Sequence, residues 1–528
     1  MSDAVALDSF PRRFIYKLAT NVLGAFLTFF QASLVSRAFG PRTYGDYNLL
    51  INFFSQFVAS VEMRSATFLY TSISRNRAKT SVVAVYFYIA LAIAVVVVLF
   101  PLFAIAAGVR NAIWPDQNAL TIIAVSVVSV VIWYTDLFSK ICDALGATLS
   151  LERARVISRI LLFIAVVLAM RWALLNFRSY LALQLIANTL LVLTLVVVLR
   201  RTGVFARQTF HPLKVEMRST FGDLFSYSHP LFVYTLVGFA GSYADRWLLQ
   251  RFHGSIEQGL FSLALNIGLA FNVLINALHP LVMREFSVAF EQQDMQRARN
   301  VFTKLILASY TVSAFFLCYA AVNAEAFVRI VGGESFQDAA GVFAIMAFLP
   351  IIHNYSMLSG SALYASNKTK LIRNIGLITI PLGVAGTFLL VGPSDYGALN
   401  LGAIGLAVKL VALEFIGNNI VLYFNCRMLG LHFGKHLLHQ VSVVALLIAA
   451  AYLSRQSAYL ILGGTATDWL GVMLLGGIIY VGISGLMFYL SPSLTGVDKR
   501  EALAFLKQAV QKSQASVNAT PTIPPGFE

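Results

Sequence analysis

The chain has 528 residues, 58% of them hydrophobic and only 12% charged, with a mean hydropathy of +0.75. A soluble globule carries roughly 25% charged residues, so this composition excludes a soluble enzyme and a disordered chain and leaves a polytopic membrane protein. The charges are lopsided: 39 Lys and Arg against 24 Asp and Glu, a formal +15. That balance would otherwise point to nucleic acid, so where the cations fall decides its meaning.

A membrane-crossing helix needs roughly 20 mostly apolar residues. That ruler predicts fourteen spans: 14–36, 47–69, 82–108, 118–142, 156–175, 179–199, 226–248, 256–282, 303–328, 338–363, 371–392, 400–424, 437–457 and 468–490. The first follows Arg12, Arg13 and Lys17 and is too long for a signal-peptide core, so it reads as a retained span. The second carries Glu62 and Arg64. At the end of the fourth, Asp136 and Lys140 are spaced for a local i,i+4 ion pair. The seventh and eighth contain His229-Pro230 and His279-Pro280. A proline frees backbone carbonyls and bends a helix, which makes Pro230 and Pro280 candidate hinges. The tenth contains His353 and Asn354, with His353 a candidate lumen-lining residue. The twelfth carries Lys409, Glu414, Asn418 and Asn419, and the two asparagines are further lumen-lining candidates. A Ser/Pro/Thr-rich tail, 493–528, is expected to be cytoplasmic and largely disordered. Cys142, Cys318 and Cys426 stand far apart in apolar sequence, as buried thiols do.

Sorting the cations by span parity places 28 of the 39 on one side of the membrane, nine on the other, and two, Arg64 and Lys409, inside spans. Arg159 is among the 28. This is the positive-inside pattern, with both termini cytoplasmic. The excess charge is therefore topological, and no nucleic acid is implied.

The segment from Arg37 to Leu49 and that from Arg251 to Leu263 both fit R-x-x-G-x4-G-x-[YF]-[NS]-L at an offset of 214. A fainter echo sets Arg155 against Lys370 at 215. Six spans separate the copies, so they run in the same direction, as in transporters that rock two halves about a central site. The expected architecture is all-α: a six-helix bundle at 1–215, a parallel one at 216–430, two added helices at 431–492, and the tail.

The same residues carry a family resemblance. Gly40-Pro41-x-x-Tyr44-Gly45-x-Tyr47 resembles the turn after the first helix of Wzx-type polysaccharide flippases. Asp245-Arg246-Trp247-Leu248-Leu249 followed by Gly259-Leu260-Phe261-Ser262-Leu263-Ala264 is similar to their seventh-to-eighth junction. Gly333-Glu334-Ser335-Phe336, Leu363-Tyr364-Ala365 and Gly402-Ala403-Ile404-Gly405 resemble the tenth to twelfth helices. The resemblance runs in order over roughly 13–425 and places the chain in the multidrug/oligosaccharidyl-lipid/polysaccharide exporter superfamily. It implies alternating-access movement of an undecaprenyl-diphosphate-linked oligosaccharide across the bacterial inner membrane for polysaccharide biosynthesis. Glycosyltransferases and a polysaccharide polymerase would be its partners. A fourteen-helix count resembles the lipid II flippase branch. The match of Asp245 and Arg246 points to structure rather than transport.

Such a substrate asks for cations in a wet lumen, where phosphate pairs with them directly, and an intramembrane charge is a functional candidate by default. Arg64 and Lys409 are the candidate diphosphate ligands; for Arg64 the competing reading is snorkelling to the headgroups. Glu62 and Glu414 are candidates for ion coupling, or else for interhelical ion pairs, Glu414 with Lys409 or Arg64. No catalytic, metal-binding or cofactor-binding pattern is present: P-loop, zinc and nucleophile-elbow motifs are missing from the sequence. Two other functions fit the composition, a cation-coupled multidrug exporter of the same superfamily and an integral-membrane glycosyltransferase or glycan ligase. The short outer loops, without a His/carboxylate cluster, argue against the enzyme.

Overall fold

The computed structural model describes residues 10–63, 65–75, 80–201, 214–463 and 469–495, so Arg64 and nearly all of the expected tail lie outside the described residues. Within them the protein is helical, without a strand. The elements are α1 (Phe10–Glu62), α2 (Ser65–Arg75), α3 (Thr80–Ala106), α4 (Arg110–Ile113), α5 (Ala119–Ala144), α6 (Thr148–Arg171), α7 (Phe177–Arg201), α8 (Lys214–Ala270) and α9 (Val273–Glu291). They continue as α10 (Met295–Asn300), α11 (Leu307–Val322), α12 (Ala324–Gly332), α13 (Ala339–Met346), α14 (Phe348–Ala365), α15 (Thr369–Val391), α16 (Gly402–Leu429), α17 (Phe433–Ile461) and α18 (Trp469–Leu490).

Ten helical stretches among the described residues are long and apolar enough to cross a membrane. α1 holds two of the predicted spans, joined at a break, and α6 and the two arms of α8 occupy the other predicted positions. Large apolar side chains stand exposed along these helices, Phe103 at 72% and Ile478 at 71% among them. This is the signature of a lipid-facing surface, where only helices satisfy their own backbone. The protein is a multi-pass membrane protein.

The breaks have local causes. In α1 the helix is interrupted at Gly40 (φ 67°, ψ 173°), and in α8 at Gly254 (φ 77°, ψ −173°). That backbone region belongs to glycine. The two sites are the same position of the repeat, 214 apart. Gly45 lies against the backbone carbonyl of Ser255, and a Cβ there would come within 2.0 Å of its oxygen. Gly259 lies equally close to the carbonyl of Pro41. Each contact is the other with the two copies exchanged, as a local two-fold axis requires. The echo at 215 fares differently. α6 starts at Thr148 and α15 at Thr369, so Arg155 and Lys370 do not occupy equivalent helix positions.

Two expectations are corrected. The second span is not continuous: α1 ends at Glu62, Met63 takes φ 54°, and α2 restarts at Ser65. Asp136 is not the ion-pair partner of Lys140 among the described residues; Lys140 reaches Glu62 instead. The turn between α8 and α9 falls at Phe271–Asn272, and within the described backbone of α8 the non-helical residue is Gly254.

Two compact units are present. Unit 1 draws on Met1–Ala277, Ala324–Pro350 and Thr369–Gly417. Its core is aromatic: Phe53 packs against Trp114 at 5.2 Å and Tyr243 at 4.6 Å, and Phe57 against Phe100 at 4.8 Å. Unit 2 draws on Leu278–Asn323, Ile351–Lys368 and Asn418–Glu528. There Tyr480 stacks on Phe315 at 5.0 Å and donates to its carbonyl at 2.8 Å, tying α18 to α11.

Candidate functional site

The break after Glu62 is built from its own side chain. Oε1 accepts from the backbone N–H of Ala66 at 3.1 Å, capping the first turn of α2 much as an N-cap residue would. Oε2 accepts from the indole N–H of Trp133 on α5 at 2.9 Å. The Tyr86 hydroxyl on α3 is 3.5 Å from Oε1 and 3.0 Å from the Ser65 hydroxyl. Lys140 Nζ is 3.7 Å away. Glu62 is 7% exposed, and this one carboxylate joins α1, α2, α3 and α5.

The second intramembrane site centres on Asp245 in α8. Lys409 of α16 donates to its Oδ2 at 2.5 Å, with the lysine side chain 7% exposed. The Thr387 hydroxyl of α15 donates to Oδ1 at 2.6 Å. A buried charge is tolerable when paired and hydrogen-bonded, and both carboxylate oxygens are occupied here. Lys409 is thus an engaged cation rather than an open one. Beside it Arg246 is 8% exposed, donates to Ser262 at 3.3 Å and lies 5.4 Å over the Phe261 ring.

Between the repeat copies, Asp46 accepts from Gln117 at 2.6 Å and from Ser255 at 2.6 Å. Arg37, at the start of the first copy, donates to the carbonyls of Arg329 and Ile330 at 3.1 and 2.6 Å. A cation at the C-terminal end of a helix, here α12, opposes its dipole favourably.

Unit 2 gathers uncharged polar groups. Gln440 of α17 accepts from Asn418 at 3.5 Å and donates to Asn419 at 3.5 Å, while its carbonyl takes the Tyr310 hydroxyl at 3.1 Å. Asn354 donates to Ser313 at 3.3 Å. His353 is exposed on α14, Glu414 is half-buried on α16, and Pro280 is exposed on α9. The backbone at Pro230 is helical.

Against this geometry, the family model described as polysaccharide biosynthesis protein matches residues 11–284. The chain belongs to this family. The match covers the whole first repeat copy, the Glu62 site and Asp245. No curated protein matches the chain significantly.

Solved structures agree on the fold of this family member. It is similar to the lipid II flippase MurJ in an inward closed conformation, with 12% identity and a TM-score of 0.64, over 90% of this chain and 99% of that one. An inward-facing multidrug resistance MATE family transporter of the MOP superfamily aligns with 12% identity and a TM-score of 0.60, over 79% and 98%. A MOP superfamily transporter from Pyrococcus furiosus aligns with 12% identity and a TM-score of 0.53, over 80% and 97%. The fold is that of MOP-superfamily transporters.

Of the residues singled out in the sequence, Asn418 and Asn419 come together on Gln440, and Lys409 joins Asp245. Glu62 finds partners the sequence did not name: Trp133, Tyr86 and Lys140. Their signal was faint, a Trp and a Tyr inside apolar spans. A buried indole N–H or hydroxyl needs an acceptor, and Glu62 was the nearby one.

Proposed function

We propose that this polysaccharide biosynthesis family protein is a flippase. It translocates an undecaprenyl-diphosphate-linked oligosaccharide across the bacterial inner membrane by alternating access, with both termini in the cytoplasm. The observation that carries the reading is the family match over residues 11–284; the MOP transporter fold supports it. No covalent step is involved. Glycosyltransferases build the substrate, and a polysaccharide polymerase receives it. The repeat halves, 1–215 and 216–430, are the moving parts, with 431–492 added to the second.

Within this reading Lys409, and Arg64 outside the described residues, are the lumen cations for the diphosphate; Lys409 serves by exchanging Asp245 for a phosphate oxygen. Glu62 is the coupling carboxylate. Adding a proton to it removes the charge that holds Lys140 at 3.7 Å, while a carbonyl oxygen remains for the indole of Trp133. Glu414 is the second coupling candidate, Asn418, Asn419 and His353 line the lumen, and Pro230 and Pro280 absorb bending.

The test is reconstitution in proteoliposomes with a lipid-linked oligosaccharide. Protein-dependent movement of the glycan across the bilayer supports the reading. Efflux of cationic dyes without glycan movement would replace it with a multidrug exporter. Turnover of a lipid-linked sugar donor would replace it with a glycosyltransferase or ligase.

A further inference from the structure

α6 has one cation in an unusual place. Arg159 stands about 16 Å along the helix from Thr148, at 1.5 Å per residue, near the middle of the 24-residue α6. Glu152 and Val166 lie seven residues to either side, so all three share one face within about 20°. Those flanking residues are buried, Glu152 at 2% and Val166 at 0%, yet Arg159 between them is exposed. The lipid-facing set of the same helix, Ile157 at 58%, Leu161 at 58%, Ile164 at 47% and Leu168 at 43% exposed, lies about 140–180° away. Exposure of Arg159 on the protein-facing side means that water-sized space reaches α6 there.

Two further observations meet at that space. Gly24 of α1 is buried, and a Cβ on it would come within 1.7 Å of Arg159 Nη1, so the guanidinium is seated over the notch that glycine leaves. On α5, Asp136 is the single exposed residue between Thr121 and Ala144, and it interacts electrostatically with Arg155, Lys140, Glu62 and Arg159. The other charges there are matched: Arg155 with Glu152 at 3.1 Å and Lys140 with Glu62 at 3.7 Å. Among the described residues Arg159 makes no hydrogen bond and no ion pair within 4 Å.

We propose that Arg159 is a substrate-anion residue: seated over Gly24 in the space between α1, α5 and α6, it receives a phosphate of the lipid-linked substrate, and Asp136 is the counter-charge that the phosphate displaces. This assignment rests on the flippase reading. A guanidinium is suited to it because its planar fork donates two parallel hydrogen bonds to one phosphate. The unmatched Asp136 balances the site when it is empty and opposes the anion when it is filled.

The test is binding of undecaprenyl diphosphate to the full chain in nanodiscs. Arg159→Gln weakens binding at least tenfold, Arg159→Lys weakens it less, and Asp136→Asn tightens it several-fold. Gly24→Ala, which moves the guanidinium and keeps its charge, weakens binding. It carries the test, with Arg159→Lys, if Arg159→Gln does not fold. A merely structural Asp136–Arg159 pair would make Arg159→Gln and Asp136→Asn weaken binding alike, and that result overturns the proposal, as does unchanged binding by Arg159→Gln. Wild-type protein that binds no undecaprenyl diphosphate overturns the flippase reading itself.

Discussion

Lys409 and Asp245 show how a charge in a membrane span is held. Removing one partner of a buried ion pair costs about 3–5 kcal/mol, because the remaining charge is left uncompensated. Lys409→Met is therefore expected to lower the thermal midpoint in detergent strongly, and Asp245→Asn combined with Lys409→Gln to recover most of the loss. If the double variant is as unstable as the single one, the pair does not act as a unit. Glu62 allows a finer dissection. Glu62→Gln keeps one oxygen, for Trp133 or for the Ala66 N–H, and loses the other acceptor and the hold on Lys140, so it should be less destabilising than Glu62→Ala and alter the dependence of transport on the proton gradient. Glu62→Ala strands two buried donors, the Ala66 N–H and the Trp133 indole, each worth about 1–3 kcal/mol when buried without a partner, and should destabilise measurably. Lys409 and Glu62 were both legible in the sequence, because a charge inside an apolar run is visible without a structure. Their partners were not. Asp245 lies 164 residues from Lys409 and Trp133 lies 71 from Glu62, and which distant group meets a charge is decided by helix packing.

Among the elements, the helix breaks divide by cause. Those at Gly40 and Gly254 were written in the repeat, since a glycine in a fixed pattern marks a conformation other residues avoid. The break at Met63 was not, because a side-chain cap makes it and no glycine or proline signals it. The two glycine pairs also predict different costs. Around Gly40 there is open space, so Gly40→Ala carries only the penalty of a backbone conformation almost confined to glycine, about 1–3 kcal/mol. Around Gly45 and Gly259 the obstacle is backbone, which has no rotamer to escape into. Gly45→Ala or Gly259→Ala should therefore abolish accumulation of folded protein, measured by monodisperse yield, while Gly40→Ala lowers it only in part.

For the whole molecule, the fourteen predicted spans and the asymmetric cations fix a topology that labelling can read. The three native cysteines are buried, so background reactivity is low. Tyr396, 76% exposed, lies in a loop expected outside, and Ser366 in one expected inside. A membrane-impermeant maleimide added to intact cells should modify Tyr396→Cys and spare Ser366→Cys; the opposite pattern would invert the orientation. Hydropathy made the apolar helices legible at this scale, ten of them among the described residues, because the bilayer imposes length and apolarity on each helix separately. The division into two compact units was not, since it depends on contacts between segments hundreds of residues apart.

The exchange-symmetric contact of Gly45 with Ser255 and Gly259 with Pro41 bears on how such a chain came about. Its surfaces are two copies of one surface, each supplying a bare glycine and receiving a carbonyl. A single half carrying that turn would present both parts of the contact at once and so would pair with itself. The six predicted spans per half would keep both copies in the same orientation in the membrane, as a side-by-side pair requires. The seam inside the present chain thus has the form of a homodimer interface from before the two halves were joined. Halves expressed as separate polypeptides, divided within 202–213, should find each other again through it.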